Sequence, residues 1–322
     1  MRKVLVILML LTTVIGLSAY TTVITPAHAQ DAEGYRVAMI YQDLSTEFNI
    51  YFQDVLNARA RELGVRLIEF DGQGDVARQL NQAENAIEQR VDALMFIPQD
   101  KSGAVPIIEN SNAAGIPVIG CNNITDNIDD ATAYVGANDI EAGIMVMEHM
   151  AELLGGKGNI AIIQGPYGHS AQIARQEGIL QTLEKYPDIN VLFENTGNWN
   201  RTEAMNLTEN WLQRDGANID AIVCHSDDMG MGAVQAIQAA GLQDQIKVIG
   251  VDAILDALIA VRSGEMAATV FQDVYGQAEG AIETAVKILN GEPYDKVTYV
   301  PFQLVTQENV DEYLREFHNI TL

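Results

Sequence analysis

The sequence predicts an α/β protein built as two doubly wound parallel-sheet lobes. Short, continuously apolar runs, typical of buried parallel strands, alternate with longer segments of helical periodicity along the chain. Glycine follows many of the helical segments, as at Gly64, Gly155 and Gly241. About ten strand–helix units are too many for one comfortable open sheet, so we expect two similar lobes.

The predicted elements follow one another in order along the chain. Apolar runs predict strands at residues 37–41, 65–70, 93–97, 117–120, 160–164, 190–194, 221–224 and 247–251. Helical patterns occupy residues 50–63, 76–89, 103–114, 140–154, 171–185, 202–214, 229–240, 254–263 and 275–289. Residues 133–137 are a predicted crossing between the lobes, and residues 296–305 an extended return before a short helix at 307–317. We therefore expect one lobe to hold residues 34–137 plus 272–300, and the other 138–271 plus 301–322.

The first 29 residues resemble a secretory signal peptide. Arg2 and Lys3 give a positive start, an apolar stretch follows at residues 4–17, and Ala27-His28-Ala29 forms a small-x-small cleavage site. The apolar stretch is short for a transmembrane helix. We expect cleavage after Ala29 and a mature protein that is free in a periplasm.

The charge balance is strongly acidic, with 44 acidic and 19 basic residues. Such a surface repels nucleic acid and anionic membranes, so neither is an expected partner. An oxidising compartment permits a disulfide between Cys121 and Cys224, and two small buried thiols are the alternative reading.

Polar side chains are concentrated just after the predicted strands. In open α/β sheets, ligands bind beyond the carboxyl ends of the strands. The segments at those ends are rich in Asn, Asp, Gln, Ser and Thr, with Phe48 and Trp199 among them. Amides and carboxylates hydrogen-bond adjacent hydroxyls, and aromatic faces cover the C–H faces of a sugar. The pattern therefore favours a small hydroxylated ligand.

Two other kinds of site have weaker support. Gly72-Gln73-Gly74-Asp75-Val76-Ala77 matches a dinucleotide fingerprint, but Asp75 would direct a carboxylate at the pyrophosphate. The sequence has no phosphate-binding loop, nucleophile elbow or zinc-ligand spacing, and the carboxylates of Asp126, Asp129 and Asp130 are typical of a solvated loop. We expect no enzyme activity, cofactor or metal.

Four segments of the sequence are distinctive: 225–241, HSDDMGMGAVQAIQAAG; 248–272, VIGVDAILDALIAVRSGEMAATVFQ; 277–292, QAEGAIETAVKILNGE; and 115–121, GIPVIGC. Through these segments, of which the first matches most strongly, residues 35–304 resemble the ribose-binding protein family of periplasmic, type I sugar-binding proteins of ABC transporters. The resemblance implies two lobes joined by three crossing strands, with hinge closure over the ligand.

The same resemblance implies a set of ligand-binding positions. They are Thr46, Phe48, Asn49, Asn122, Asn123, Gln172, Ile173, Trp199, Ser226, Asp227, Asp252 and Gln272.

Several of these positions depart from the family pattern. Asn49 stands where a second aromatic residue is usual, and Asn122 and Asn123 replace an Asp-Arg pair that grips sugar hydroxyls. Ile173 lies near the place of a sugar-binding arginine, whereas Arg175 matches a family position that looks structural. The resemblance thus implies a pocket without a ligand-facing arginine and with Asp252 as its main charge, which disfavours anionic ligands.

The expected function is that of the substrate-binding protein of an ABC importer. We expect a monomer that binds a neutral sugar or polyol, with an amino-sugar or other cation as an alternative, and that delivers it to a membrane permease. A periplasmic sensor or adaptor for a chemoreceptor or sensor kinase has the same sequence signature. A nucleotide-dependent enzyme is the more distant alternative.

Overall fold

The structure of the protein is a computed structural model that describes residues 34–318. The predicted signal peptide and its cleavage site lie outside the described residues. No helix in the described part of the chain is long and apolar enough to cross a membrane.

The chain alternates strands and helices almost throughout. Its strands are β1 (Arg36–Tyr41), β2 (Arg66–Asp71), β3 (Ala93–Phe96), β4 (Val118–Asn122), β5 (Ala133–Gly136), β6 (Lys157–Gln164), β7 (Asp188–Thr196), β8 (Ala221–Cys224), β9 (Lys247–Asp252), β10 (Ala268–Phe271), β11 (Val297–Tyr299) and β12 (Gln303–Val305). Its helices are α1 (Glu47–Glu62), α2 (Val76–Glu88), α3 (Val105–Ala113), α4 (Asp139–Leu153), α5 (Ser170–Leu183), α6 (Arg201–Asp215), α7 (Asp227–Ala239), α8 (Leu255–Ser263), α9 (Val274–Asn290) and α10 (Val310–His318).

Two sheets with corresponding strand orders define two lobes. The sheet of the first lobe has the order β2-β1-β3-β4-β5-β11, and that of the second lobe β7-β6-β8-β9-β10-β12. Neighbouring strands run parallel except for the antiparallel pair of β10 and β12. The predicted fold class, two doubly wound α/β lobes, is confirmed.

The central strands of each sheet are buried on both faces. Along β1, Val37 and Met39 pack into one apolar cluster, whereas Ala38 and Ile40 pack into another on the opposite face. Consecutive strand residues point to opposite faces, so a continuously apolar strand needs helices on both sides. The apolar runs in the sequence reflect this arrangement.

The chain passes between the lobes three times. It leaves the first sheet after β5, returns after β10 through α9, which packs on α1, and leaves again between β11 and β12. The expected extended return is thus two short strands, one in each sheet. The residue limits predicted for the lobes stay a prediction. The sheets show which strands belong to each lobe, but they do not show at which residues the chain crosses from one lobe to the other.

The two cysteines lie in different lobes. Cys121 is in β4 and Cys224 in β8, and both are free and buried. Burial raises the pKa of the Cys121 thiol to about 12, so the thiol stays protonated at neutral pH. Both residues pack as small apolar side chains, which is the alternative that the sequence left open.

Candidate ligand-binding site

A cavity of about 430 Å³ is lined by residues from both lobes. Its walls come from segments at the carboxyl ends of the strands, as expected for two open α/β sheets. The lining residues are Gln42, Thr46, Phe48, Asn49, Asn122 and Asn123 from the first lobe, and His169, Ala171, Arg175, Trp199, Ser226, Asp228, Asp252 and Gln272 from the second. Nine of the twelve residues predicted from the sequence are brought together here; their contact with a ligand stays a prediction.

Backbone strain is concentrated around this cavity. Asn122, Trp199, Asp252 and Ala253 have positive φ angles of 59°, 56°, 124° and 59°. L-residues other than glycine rarely adopt such angles, and each instance costs on the order of 1–3 kcal/mol. Strain of this kind clusters where the backbone must present side chains in a set direction, which marks the cavity as the functional region.

Amide side chains of the first lobe are held in place by hydrogen bonds. Asn122 Nδ2 donates to Gln277 Oε1 at 2.8 Å, and the Tyr134 hydroxyl donates to the Asn122 carbonyl at 2.6 Å. Asn123 Nδ2 donates to Gln42 Oε1 at 2.9 Å. These bonds fix the orientation of two amides that can each donate to and accept from a hydroxyl.

His169 connects this amide group to the second lobe. The Ala171 N–H donates to His169 Nδ1 at 3.3 Å, so the proton of the neutral ring lies on Nε2. His169 Nε2 then donates to Gln42 Oε1 at 2.8 Å. Burial, assisted by the positive charge of Arg175, lowers the pKa of His169 to about 3, which keeps this contact between the lobes uncharged at neutral pH.

Arg175 lines the cavity, although the resemblance implied a pocket without a ligand-facing arginine. Its Nε atom lies 2.9 Å from Asp139 Oδ1, and Nη2 donates to Gln272 Oε1 at 2.9 Å. Nη1 lies 3.8 Å from Asp252 Oδ1 and also donates to the His225 carbonyl. The guanidinium is therefore almost fully buried but surrounded by acceptors, which offsets part of its desolvation cost.

Helical periodicity explains why Arg175 faces the cavity and two predicted residues do not. Ala171 and Arg175 are four residues apart on α5 and share one face of that helix. Ile173 is half a turn away and is 44% exposed, outside the cavity lining. Gln172 is buried, but its Nε2 donates to Gln164 Oε1 at 2.7 Å instead of lining the cavity.

Asp227 is the third predicted residue outside the lining, and its carboxylate supports the backbone next to Asp252. It accepts hydrogen bonds from the Ala253 N–H at 2.7 Å, the Ile254 N–H at 3.2 Å and the Thr269 hydroxyl at 2.8 Å. Asp227 is fully buried, and a Cβ atom on Gly250 would lie only 2.2 Å from its Oδ1. The predicted ligand-binding role of Asp227 is therefore corrected: it holds the strained turn that presents Asp252.

Asp252 is the carboxylate at the end of β9. Burial raises its pKa well above the ordinary value, and the nearby Arg175 guanidinium opposes that shift. The cavity thus holds one buried cation together with acidic groups, Asp228 and Asp252, in its lining. The net charge of the lining favours neutral ligands over anionic ones.

Trp199 supplies the flat apolar surface of the cavity. Its indole packs edge-on against His169 with ring centroids 5.3 Å apart, and Gly165 makes room for it, because a Cβ there would lie 2.1 Å from indole Cζ2. The buried indole Nε1 has no hydrogen-bond partner among the described residues. Buried donors are normally satisfied, so Nε1 is a donor that a bound ligand can use.

An ion network that includes the lining residue Asp228 joins the two lobes. Arg201 contacts Asp228 at 3.0 Å and Asp256 at 2.8 Å within the second lobe, and Glu47 of the first lobe at 3.7 Å. The Glu47 N–H also donates to Asp228 Oδ2 at 3.3 Å. Burial, with the nearby Asp228 carboxylate, raises the pKa of Glu47. The lobes are thus held together here by charge as well as by the contacts of His169.

Five lining residues were not singled out from the sequence. Gln42, His169, Ala171, Arg175 and Asp228 all lie within or beside segments that follow strands, which is the signal that points to them. Sequence adjacency to a strand end does not show which residues of a segment face inward. For α5 and α7, the helical period supplies that information.

The dinucleotide-like motif has a structural role. The Asp75 carboxylate accepts hydrogen bonds from the N–H groups of Ala77 at 2.8 Å and Arg78 at 3.3 Å, capping α2. These are the backbone donors that a pyrophosphate would need. Gly72 lies against backbone, since a Cβ would be 2.7 Å from the Tyr41 carbonyl oxygen. Glycine at position 72 therefore allows the two backbone segments to pack closely.

Acidic clusters in the described part of the chain do not form a metal site. No group of three or more His, Cys, Asp or Glu side chains there is arranged to hold a metal ion. Asp126 is instead paired with Lys101 at 3.1 Å.

Comparison with known proteins places this fold and cavity in one class. The chain is 40% identical to a solute-binding protein of an ABC transporter from Bacillus halodurans C-125 solved with bound myo-inositol, with a TM-score of 0.84 over 88% of this chain and 98% of that one. It is 34% identical over 283 residues to the xylitol-binding protein of Mycolicibacterium smegmatis, covering 88% of this chain and 80% of that protein. The ribose import binding protein of Bacillus subtilis is 28% identical over 88% of this chain and 91% of its own length.

A two-lobed fold with a polar cavity between its sheets defines a solute-binding protein. The periplasmic binding protein domain matches residues 37–293, and the chain belongs to that family. The resemblance to ribose-binding proteins seen in the sequence is confirmed, and the relatives are solute-binding proteins.

Proposed function

We propose that this protein binds a neutral sugar or polyol in the cavity between its lobes and delivers it to the permease of an ABC importer. The observation that carries the proposal is the cavity lining: amides, carboxylates and a buried guanidinium from both lobes surround the indole of Trp199. Such groups hydrogen-bond several ring hydroxyls at once, and the indole covers an apolar face. Similar proteins support the same ligand class: two are a xylitol-binding protein and a ribose import binding protein, and a third was solved with bound myo-inositol.

The proposed mechanism is ligand-linked closure of the lobes. A ligand that bonds to Asn122 and Asn123 on one side and to Ser226, Asp252 and Gln272 on the other interacts only with the closed arrangement, so it shifts the population toward that arrangement. No covalent bond changes, and no residue has a catalytic role. We also propose that the protein is exported to the periplasm, is cleaved after Ala29 and is a monomer.

A thermal-shift screen of residues 30–322 tests the ligand class. The panel contains neutral sugars, polyols, amino-sugars, sugar phosphates, amino acids and nucleotides. A ligand that binds only the folded state raises the melting temperature in proportion to the logarithm of its concentration. We expect such a rise with at least one neutral sugar or polyol and none with the matching phosphate. A rise with NAD and silence from every sugar and polyol would overturn the proposal.

A transport assay separates the importer from the sensory alternative. The purified protein and its candidate permease are reconstituted in vesicles, and uptake of the ligand found in the screen is measured. Uptake that depends on this protein supports the importer. Binding without uptake, together with co-purification of a receptor or sensor kinase, would support the sensor.

A further inference from the structure

A second cavity adjoins the first. It has a volume of about 780 Å³ and lies between α1 and the start of α9 on one side, and the segments after β9 and β10 together with α10 on the other. Phe48, Asp252 and Gln272 line both cavities. A ligand that contacts these three residues from the first cavity is therefore next to the second.

Aromatic side chains form much of the wall of the second cavity. Phe271 and Phe317 have ring centroids 4.5 Å apart, and Tyr275 and Phe317 have theirs 5.4 Å apart. The Tyr275 hydroxyl donates to the Phe317 carbonyl at 2.8 Å, which joins α9 to α10. Tyr51 completes the aromatic lining. Because these rings pack against one another, the apolar wall exists before any ligand arrives.

The remaining lining sets the chemistry that the cavity accepts. Val55, Ala253, Ile254 and Val274 add apolar surface, and no Lys, Arg or His is among the described residues that line the cavity. The carboxylates are those of Asp54, which is exposed to solvent, and Asp252, which lies near Arg175. An anionic group would therefore find no cationic partner among these described residues. A cation would gain little, because the Asp54 carboxylate is solvated and the charge of Asp252 is compensated by Arg175.

We propose that the second cavity is a subsite for a neutral apolar substituent, aryl or alkyl, carried by the sugar or polyol that occupies the first cavity. The inference rests on the proposed function, because the substituent is attached to that ligand. The ring hydroxyls bond to the polar residues of the first cavity, and the substituent passes beside Phe48 into the aromatic lining. The natural ligand class is then a glycoside or ether of a sugar or polyol.

The test compares myo-inositol with its mono-O-benzyl ethers by isothermal titration calorimetry. If the ligand screen selects another sugar or polyol, that compound and its benzyl ethers are used. We expect at least one ether to bind within about tenfold of its parent, because burial of the phenyl group compensates for the lost hydroxyl contact. The variants Val55→Trp and Val274→Phe fill the second cavity without altering a residue of the first. Each filling variant should weaken that ether at least about tenfold and the parent less than about twofold.

Leu153→Trp is the matched control, because Leu153 is 41% exposed and lines neither cavity. It should change neither affinity. Binding of the parent with every ether more than about 100-fold weaker overturns the subsite. Equal weakening of parent and ether by both filling variants also overturns it. If no sugar or polyol binds at all, the proposed function fails and this inference fails with it.

Discussion

The carboxylate of Asp252 gives the sharpest quantitative prediction. It lies at the carboxyl end of β9, in the cavity lining, with a φ of 124° that only a firmly held backbone sustains. Asp252→Asn keeps the shape and one acceptor oxygen, and asparagine tolerates positive φ. Asp252→Ala removes both oxygens. The pair separates the contribution of charge from that of the hydrogen bonds.

The magnitudes follow from the type of bond that is lost. A hydrogen bond to a charged group contributes about 1.5–3 kcal/mol and a neutral one about 0.5–1.5 kcal/mol. Asp252→Asn should therefore weaken ligand affinity about five- to thirteenfold, and Asp252→Ala about 13- to 160-fold. Isothermal titration calorimetry with the ligand from the screen measures both values, and melting curves without ligand report the cost to the fold.

Asp188→Asn, at the exposed start of β7, is the control and should leave affinity unchanged. The raised pKa of Asp252 adds a pH dependence, since the carboxylate is protonated, and loses its charge, in a pH range above that of an ordinary aspartate. Wild-type affinity should fall as the pH is lowered through that range, and the affinity of Asp252→Asn should stay flat. Affinity within twofold of wild type in both variants would remove Asp252 from the site.

Three further predictions concern the contacts around the cavity. Arg201→Met removes the ion pair with Glu47, which links the lobes, together with the pairs to Asp228 and Asp256 within the second lobe, and should weaken ligand binding about 1.5- to fivefold at low salt and not at high salt. Arg262→Met, which breaks an ion pair within the second lobe, is its control, and an equal effect of the two would refute the idea. His225→Gln should reduce the acid sensitivity of the fold: burial lowers the pKa of His225 to about 3 from an ordinary 6.5, so the folded state loses up to about 2 kcal/mol between pH 7 and pH 5. Urea unfolding at pH 7 and pH 5 measures the free energy of unfolding of wild type and of His225→Gln. The comparison with wild type is needed because buried acids with raised pKa values act in the opposite direction. The same pH-dependent loss of stability in both proteins would contradict the prediction. Asp227→Asn should lower the free energy of unfolding by about 1–3 kcal/mol and also weaken the ligand, because the turn at Asp252 loses its support. A stability loss without any change in affinity would leave Asp227 with a purely structural role.

The architecture could be predicted from the sequence because buried parallel strands have an unmistakable pattern. Continuous apolar runs such as β3 and β8 need helices on both faces, and their spacing sets the number of units. The short strands β11 and β12 were expected as one extended segment. Hydrophobic periodicity does not show that Val297–Tyr299 pair with one sheet and Gln303–Val305 with the other, because strand pairing depends on partners far away in the sequence.

The location of the cavity could be predicted from the sequence better than the direction in which each nearby side chain points. The ends of parallel strands meet at one edge of a sheet, which brings Asn122, Trp199 and Asp252 together although they are far apart in the chain. Arg175 was missed because its role was inferred from a family position and not from the helical face that it shares with Ala171. Asp227 lies outside the cavity lining because adjacent residues at a helix start face different ways: Asp227 faces the core and Asp228 faces the cavity.

Tryptophan fluorescence tests the central claim, ligand binding between the lobes, most directly. The chain has two tryptophans: Trp199 lines the cavity, whereas Trp211 packs on Phe193 in the core of the second lobe. Titration with the sugar or polyol from the screen should change the emission of wild type and of Trp211→Phe with one-site saturation, and should not change that of Trp199→Phe. A ligand-dependent change that persists in Trp199→Phe and disappears in Trp211→Phe would place the ligand elsewhere and contradict the account.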